Sequence, residues 1–138
     1  MKTEKRYAPI ISKLRDANLR PTRQRIALGE LMFRGEDRHV SAEMLHKEAT
    51  QARVSVSLAT VYNTLHQFTQ AGLLREIAVE AGRSYFDTNT SDHHHFYFEN
   101  DGHLEDVHSE QVVVSSLPTP PNGAKISRVD VVIRVRED

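Results

Sequence analysis

Apolar residues recur at helical spacing through the first half of the chain and alternate with polar ones afterwards. Residues 7–18, YAPIISKLRDAN, place Tyr7, Ile10, Ile11 and Leu14 at i, i+3, i+4 and i+7, one face of a helix. Leu19-Arg20-Pro21-Thr22 interrupts it: Pro21 favours a fresh start, and Thr22 carries the hydroxyl of an N-cap. The helix that follows, roughly over residues 22–34, is expected to bury Ile26, Ala27, Leu31 and Met32 or Phe33, and to stop at Gly35. Ser41 is placed to cap a third helix, roughly 42–51, with Ala42, Leu45 and Ala49 on one face. Residues 57–71, SLATVYNTLHQFTQA, carry the clearest pattern. Leu58, Val61, Leu65 and Phe68 form its stripe, and Gly72 stands where a left-handed glycine ends a helix. LLREIAVE and RSYFDT then flank Ala81-Gly82 as two short strands of a hairpin.

The polar, turn-rich DTNTSD, residues 87–92, reads as a hinge between one domain over 1–88 and a second over 89–138. Beyond it, HHHFYFEN and HLEDV read as strands joined by the Asn100-Asp101-Gly102 turn. Residues 110–117 read as a helix, and SLPTPPNG as a loop. KISRVDVVIRVRE alternates strongly and reads as a strand whose Val129, Val131, Ile133 and Val135 face is too apolar for so small a sheet to bury within one subunit. The expected class is α+β: an N-terminal winged helix-turn-helix DNA-binding domain and a C-terminal α/β dimerisation domain.

Charge sharpens this division. Residues 1–90 carry 14 Lys and Arg against 10 Asp and Glu, whereas residues 91–138 carry 4 against 9. A basic first part and an acidic, histidine-rich second part suit two different tasks. With no cysteine, the chain has no disulfide and no thiolate, so metal ligands must come from His, Asp, Glu or backbone. The N-terminal MKTEKRYAPI lacks the apolar core of a signal peptide, and no stretch has the length of a membrane span. The expectation is a soluble, cytoplasmic protein with no membrane partner.

Opposite its apolar stripe, the 57–71 segment presents Ser57, Thr60, Asn63, Thr64 and Gln67, short side chains that give and accept hydrogen bonds in a major groove. Tyr62 lies on the flank, within reach of a phosphate or a thymine methyl. Arg20, Arg23 and Arg25 suit phosphate or minor-groove contacts. Double-stranded DNA is therefore the expected partner.

Five of the eight histidines fall within SDHHHFYFENDGHLEDVH, residues 91–108. On a strand His93 and His95 share a face, while His94 turns away with Phe96 and Phe98. Asp87 lies upstream and Asp106 on the paired strand, completing a His₂Asp₂ set suited to Fe²⁺, Mn²⁺ or Zn²⁺. His103 reads as solvated. A metal-dependent enzyme is the alternative reading, but no activated nucleophile or general base accompanies the cluster, and no enzymatic activity is expected.

NLRPTRQRIAL, HVSAEMLHKEA, VSLATVYNTLHQFTQAGLLREI and HHHFYF…GHLEDV resemble successive blocks of the ferric uptake regulator family, over residues 19–106 with a looser match in the last strand. The HHHFYFE run resembles the iron response regulator branch of alphaproteobacteria, which is linked to haem and iron status. The resemblance implies a homodimeric metal- or haem-responsive repressor of iron homeostasis genes, bound to an AT-rich palindromic operator. It implies a fifth ligand, His39, and hence a regulatory site of His39, Asp87, His93, His95 and Asp106 that joins both domains. His94 and Asp92 correspond to a second metal site or a haem contact, with Glu110 or His108 as further candidates. Three departures follow. Phe98 and Asp101 stand where many members carry Cys-x-x-Cys, so the structural zinc site is expected to be absent, and there is no Cys-Pro haem motif. Asn63 stands where many members have Arg, which alters the expected operator.

Overall fold

Three hydroxyl side chains set where the helices of the first unit begin. The computed structural model describes residues 2–80 and 82–138, with side chains from Lys5 onward. Thr22, Ser41 and Ser57 each accept a hydrogen bond from a backbone N–H three residues ahead: Arg25 N at 3.3 Å, Met44 N at 3.2 Å and Thr60 N at 3.1 Å. Each satisfies one donor that the first turn of a helix leaves without a partner. They open α2 (Arg23–Phe33) and α3 (Ala42–Gln51) as the predicted caps of Thr22 and Ser41, and α4 (Leu58–Gln70) through Ser57, which the sequence pattern places within the helix. Replacing Thr22 by alanine is expected to cost about 1 kcal/mol of stability, a fall in melting temperature that Thr22→Ser largely restores.

The first helix, α1 (Lys2–Asp16), begins earlier than its apolar spacing indicated. Lys, Glu and Arg propagate a helix well without contributing an apolar stripe, so periodicity does not register that turn. It also ends earlier, because Asn18 adopts φ 62°, and Leu19 N reaches back to Leu14 O at 2.8 Å in a Schellman-type closure. Ile10, Leu14, Leu28, Met32, Leu45, Val61, Leu65 and Phe68 form one buried core. Two expectations for α4 change. Thr64 is buried while Leu58 is 37% exposed. Thr64 falls one turn from Val61 and from Phe68, inside the buried stripe, whereas Leu58 sits in the first turn and overhangs the core's edge.

The hairpin is β2 (Arg75–Glu80) with β3 (Arg83–Asp87), and Ala81 of its expected turn lies outside the described residues. A strand not foreseen, β1 (His39–Val40), pairs antiparallel with β3, giving the order β1-β3-β2. Two residues are too few to show alternation, so only the pairing reveals it.

The described residues separate into a unit over Met1–Thr90 and a second over Ser91–Asp138. In the second, β4 (His94–Phe98) pairs antiparallel with β5 (Leu104–Val107) and parallel with β6 (Val132–Val135). Gly102, at φ 76°, takes the left-handed position of the turn between β4 and β5 and donates to Phe98 O at 2.7 Å. The helix expected over 110–117 is not formed; a single 3-10 turn, Ser109–Gln111, stands in its place. Three consecutive β-branched valines, two serines and the prolines beyond weigh against an α-helix there. The strand expected over 125–137 is confined to β6, because β4 offers ladder partners only from His95 to Phe98.

Candidate functional site

The pleat of β4 and its register with β5 assemble the histidine cluster. His95 lies directly across from Asp106 in the antiparallel ladder, and His93 stands two residues before it on the same face. His93 Nε2 and His95 Nε2 approach Asp106 Oδ1 to 3.2 and 3.4 Å, and the two imidazole rings lie 4.5 Å apart, centre to centre. Both rings are buried, and Asp106 is half exposed. The Nδ1 atom of His93 lies 2.6 Å from the carbonyl of Ser91. A carbonyl only accepts, so Nδ1 carries a proton, and the nitrogen left to bind an ion is Nε2, which faces Asp106. Two imidazoles and a carboxylate, with no thiolate, suit a divalent ion such as Fe²⁺, Mn²⁺ or Zn²⁺.

The first unit holds a second donor pair. Register places His39 opposite Asp87, with His39 Nε2 3.2 Å from Asp87 Oδ2. Asp87 is buried at the end of β3, within the strand expected over RSYFDT, and its other oxygen accepts from Asn89 N at 2.9 Å. Pairing of β1 with β3 is thus what brings His39 to a carboxylate.

The remaining histidines of the run are engaged differently. His94 turns to the opposite face, where its Nδ1 accepts from Val131 N at 3.1 Å and ties β4 to the segment leading into β6. Asp92 is exposed just before β4. His103 is exposed, as expected, and it stacks on Phe98 with ring centres 4.3 Å apart and bonds Asp101 within the turn. That carboxylate raises the imidazole pKa, and the imidazole in turn lowers that of Asp101. His108 caps the 3-10 turn by accepting from Glu110 N at 3.3 Å.

On α4, Thr60, Asn63 and Gln67 line one side of a shallow polar cleft, with Thr22, Gln24 and Arg25 on the other. Arg20 and Arg23 are exposed. Arg25 is committed within the protein: its Nε and Nη2 bond Gln67 Oε1 at 3.1 and 3.0 Å, and Nη1 bonds Arg20 O at 3.0 Å. It fixes the start of α2 against α4. Ser57 is both the cap of α4 and a donor to Thr60 Oγ1 at 3.0 Å. Sequence reasoning missed Glu43. An acidic residue in the first turn of a helix is accounted for by the helix dipole, which conceals any other role. Here its carboxylate accepts from the Tyr62 hydroxyl at 2.6 Å.

A basic winged helix-turn-helix unit and a His/Asp donor set on a separate small sheet define the class of protein. The model of the ferric uptake regulator family matches residues 16–134, and the chain belongs to that family. It is 38% identical over 81 residues to the ferric uptake regulation protein of Vibrio cholerae, a match that takes in 59% of this chain and 54% of that protein. The chain thus spans about half the length of the Vibrio relatives it matches. Against the Neisseria gonorrhoeae ferric uptake regulation protein, identity is 29% over 103 residues, 74% of this chain and 72% of the relative. The structure of the ferric uptake regulator from Pseudomonas aeruginosa with manganese superposes with a TM-score of 0.70 at 27% identity, covering 93% of this chain and 97% of that one.

Proposed function

We propose that this chain is a homodimeric, metal-responsive transcription regulator whose winged-helix unit binds double-stranded DNA. The observation that carries the reading is the geometry around Asp106, with two buried imidazole Nε2 atoms at 3.2 and 3.4 Å from one oxygen, in a chain that also carries a helix-turn-helix. His93, His95 and Asp106 form one half of the ligand set, and His39 and Asp87 the other. A bound divalent cation supplies a fixed double charge that both sets serve. Because His39 belongs to the DNA-binding unit and His93 to the second, sharing that ion couples metal to DNA affinity. Relatives named for ferric uptake regulation and a manganese-containing neighbour support iron or manganese as the physiological ion. The HHHFYFE run supports placing the chain in the iron response regulator branch, where His94 and Asp92 are the residues available to haem or to a second ion.

The polar face of α4, with Ser57, Thr60, Tyr62 and Asn63, enters the major groove in this reading, and Arg20 and Arg23 contact the backbone. Dimerisation through residues 93–138 sets two such helices about 34 Å apart on a palindrome. Duplexes selected from a random pool by the Mn²⁺-loaded protein are expected to contain an AT-rich palindrome and to bind a dimer. Arg20→Ala is expected to weaken binding to every sequence alike and to reduce the slope of log affinity against log salt by about 1, one counterion released per phosphate contact. Selection of no sequence, with a monomeric mass in light scattering at micromolar concentration, would refute the reading.

A further inference from the structure

One contact on the DNA-facing side of the first unit has no role in the core or in the metal ligands. Tyr62, on the flank of α4, donates its hydroxyl proton to Glu43 Oε1 at 2.6 Å. Glu43 is exposed in the first turn of α3, placed there by the Ser41 cap. The two residues share a cleft of about 350 Å³ with Ser41, Arg83, Ser84 and Tyr85, so the pair faces the wing hairpin. Tyr62 also packs edge-on against His66, ring centres 6.4 Å apart, which limits where its hydroxyl points. The hydrogen bond is charge-assisted. It holds the Glu43 carboxyl below the usual range, with the Arg83 charge adding a little, and it holds the Tyr62 phenol above its own. The phenol therefore keeps its proton, and that proton belongs to Glu43.

A tyrosine hydroxyl has one proton to give and two lone pairs to receive with. Once the proton is given to Glu43, only the lone pairs face outward. Phosphate oxygens only accept, and Glu43 adds a negative charge beside them, so the hydroxyl has nothing to offer a phosphate. This revises one of the two contacts that the sequence suggested for Tyr62. In the major groove, guanine N7 and O6 and thymine O4 also only accept, whereas adenine N6 and cytosine N4 carry amino donors. We propose that Glu43 is a positioning residue that sets the polarity of Tyr62, committing it to accept from an exocyclic amino group of adenine or cytosine, and thereby determines one position of the operator. The proposal rests on the DNA-binding reading above and adds to it the chemical class of base edge that is read.

The test removes the amino group from the DNA and the proton acceptor from the protein. The Mn²⁺-loaded full-length protein first selects its site from random duplex. Each adenine of that site is then replaced in turn by purine, and each cytosine by 2-pyrimidinone, bases that lack the amino group. Binding is measured for the wild type, Tyr62→Phe, Glu43→Gln and Glu43→Ala. At one position per half-site, loss of the amino group is expected to weaken wild-type binding on the order of fivefold. At that position Tyr62→Phe should be indifferent. Glu43→Ala should lose most of the discrimination, because the freed phenol can then donate as well as accept, whereas Glu43→Gln, whose amide oxygen still accepts the phenol proton, should keep most of it. Other positions should respond alike in all four proteins, which a mere loss of stability would not produce. If Tyr62→Phe matches the wild type at every position, or Glu43→Ala keeps full discrimination, the inference is wrong while the DNA-binding reading stands. If the wild type selects no sequence, both fall together.

Discussion

His93→Ala/His95→Ala is expected to remove about one metal equivalent per chain, read by elemental analysis of protein purified in the presence of Mn²⁺. Both rings are buried and both converge on Asp106, so no other described side chain of that sheet takes their place. Changing a residue that merely orients a ligand typically costs 10- to 100-fold in metal affinity, and removing two ligands should cost more. His94→Ala is the control. It lies on the same strand, one residue from each, but faces the other way and holds Val131 N. It should retain the metal equivalent. Acid should mimic the double variant, since an imidazole must be neutral to ligate and protons compete with the ion. Dimer mass should change little in either variant.

Phe68→Ala should be the most damaging single change to the first unit. Phe68 is fully buried on α4, its ring 5.8 Å from that of Phe33, and it reaches the surface of α2 near Gly29. Truncating such a residue costs about 3–5 kcal/mol through lost burial and the cavity left behind, against a total of about 5–15 kcal/mol for a typical domain. The melting temperature of the first unit should fall by more than about 10 °C. Phe68→Leu should recover much of the loss. A fall of only a few degrees for Phe68→Ala would mean that α4 is not anchored through this residue.

Much of this architecture is written in local patterns. Thr22, Ser41 and Ser57 sit at the starts of helices for reasons that a three-residue window contains. His93 and His95 share a face because a strand has a period of two, and no tertiary knowledge is needed to say so. Other features needed partners remote in sequence. β1 is defined only by its pairing with β3, and that pairing is what gives His39 a carboxylate neighbour. The length of β6 is set by β4 rather than by its own alternation. The helix expected over 110–117 contains three consecutive valines, whose β-branching does not favour a helical backbone. Glu43 escaped notice because its partner, Tyr62, lies 19 residues away on another helix.

In the proposed mechanism the DNA-binding unit contributes a ligand, His39, to the ion held by the second unit. This is tested most directly by comparing His39→Ala with the wild type in DNA titrations followed by fluorescence anisotropy, on the selected duplex, with and without Mn²⁺. Mn²⁺ is expected to strengthen wild-type binding at least tenfold, about 1.4 kcal/mol of coupling, and His39→Ala is expected to bind like the metal-free wild type whether or not Mn²⁺ is present. A His39→Ala protein that keeps the full metal-dependent gain would contradict the mechanism.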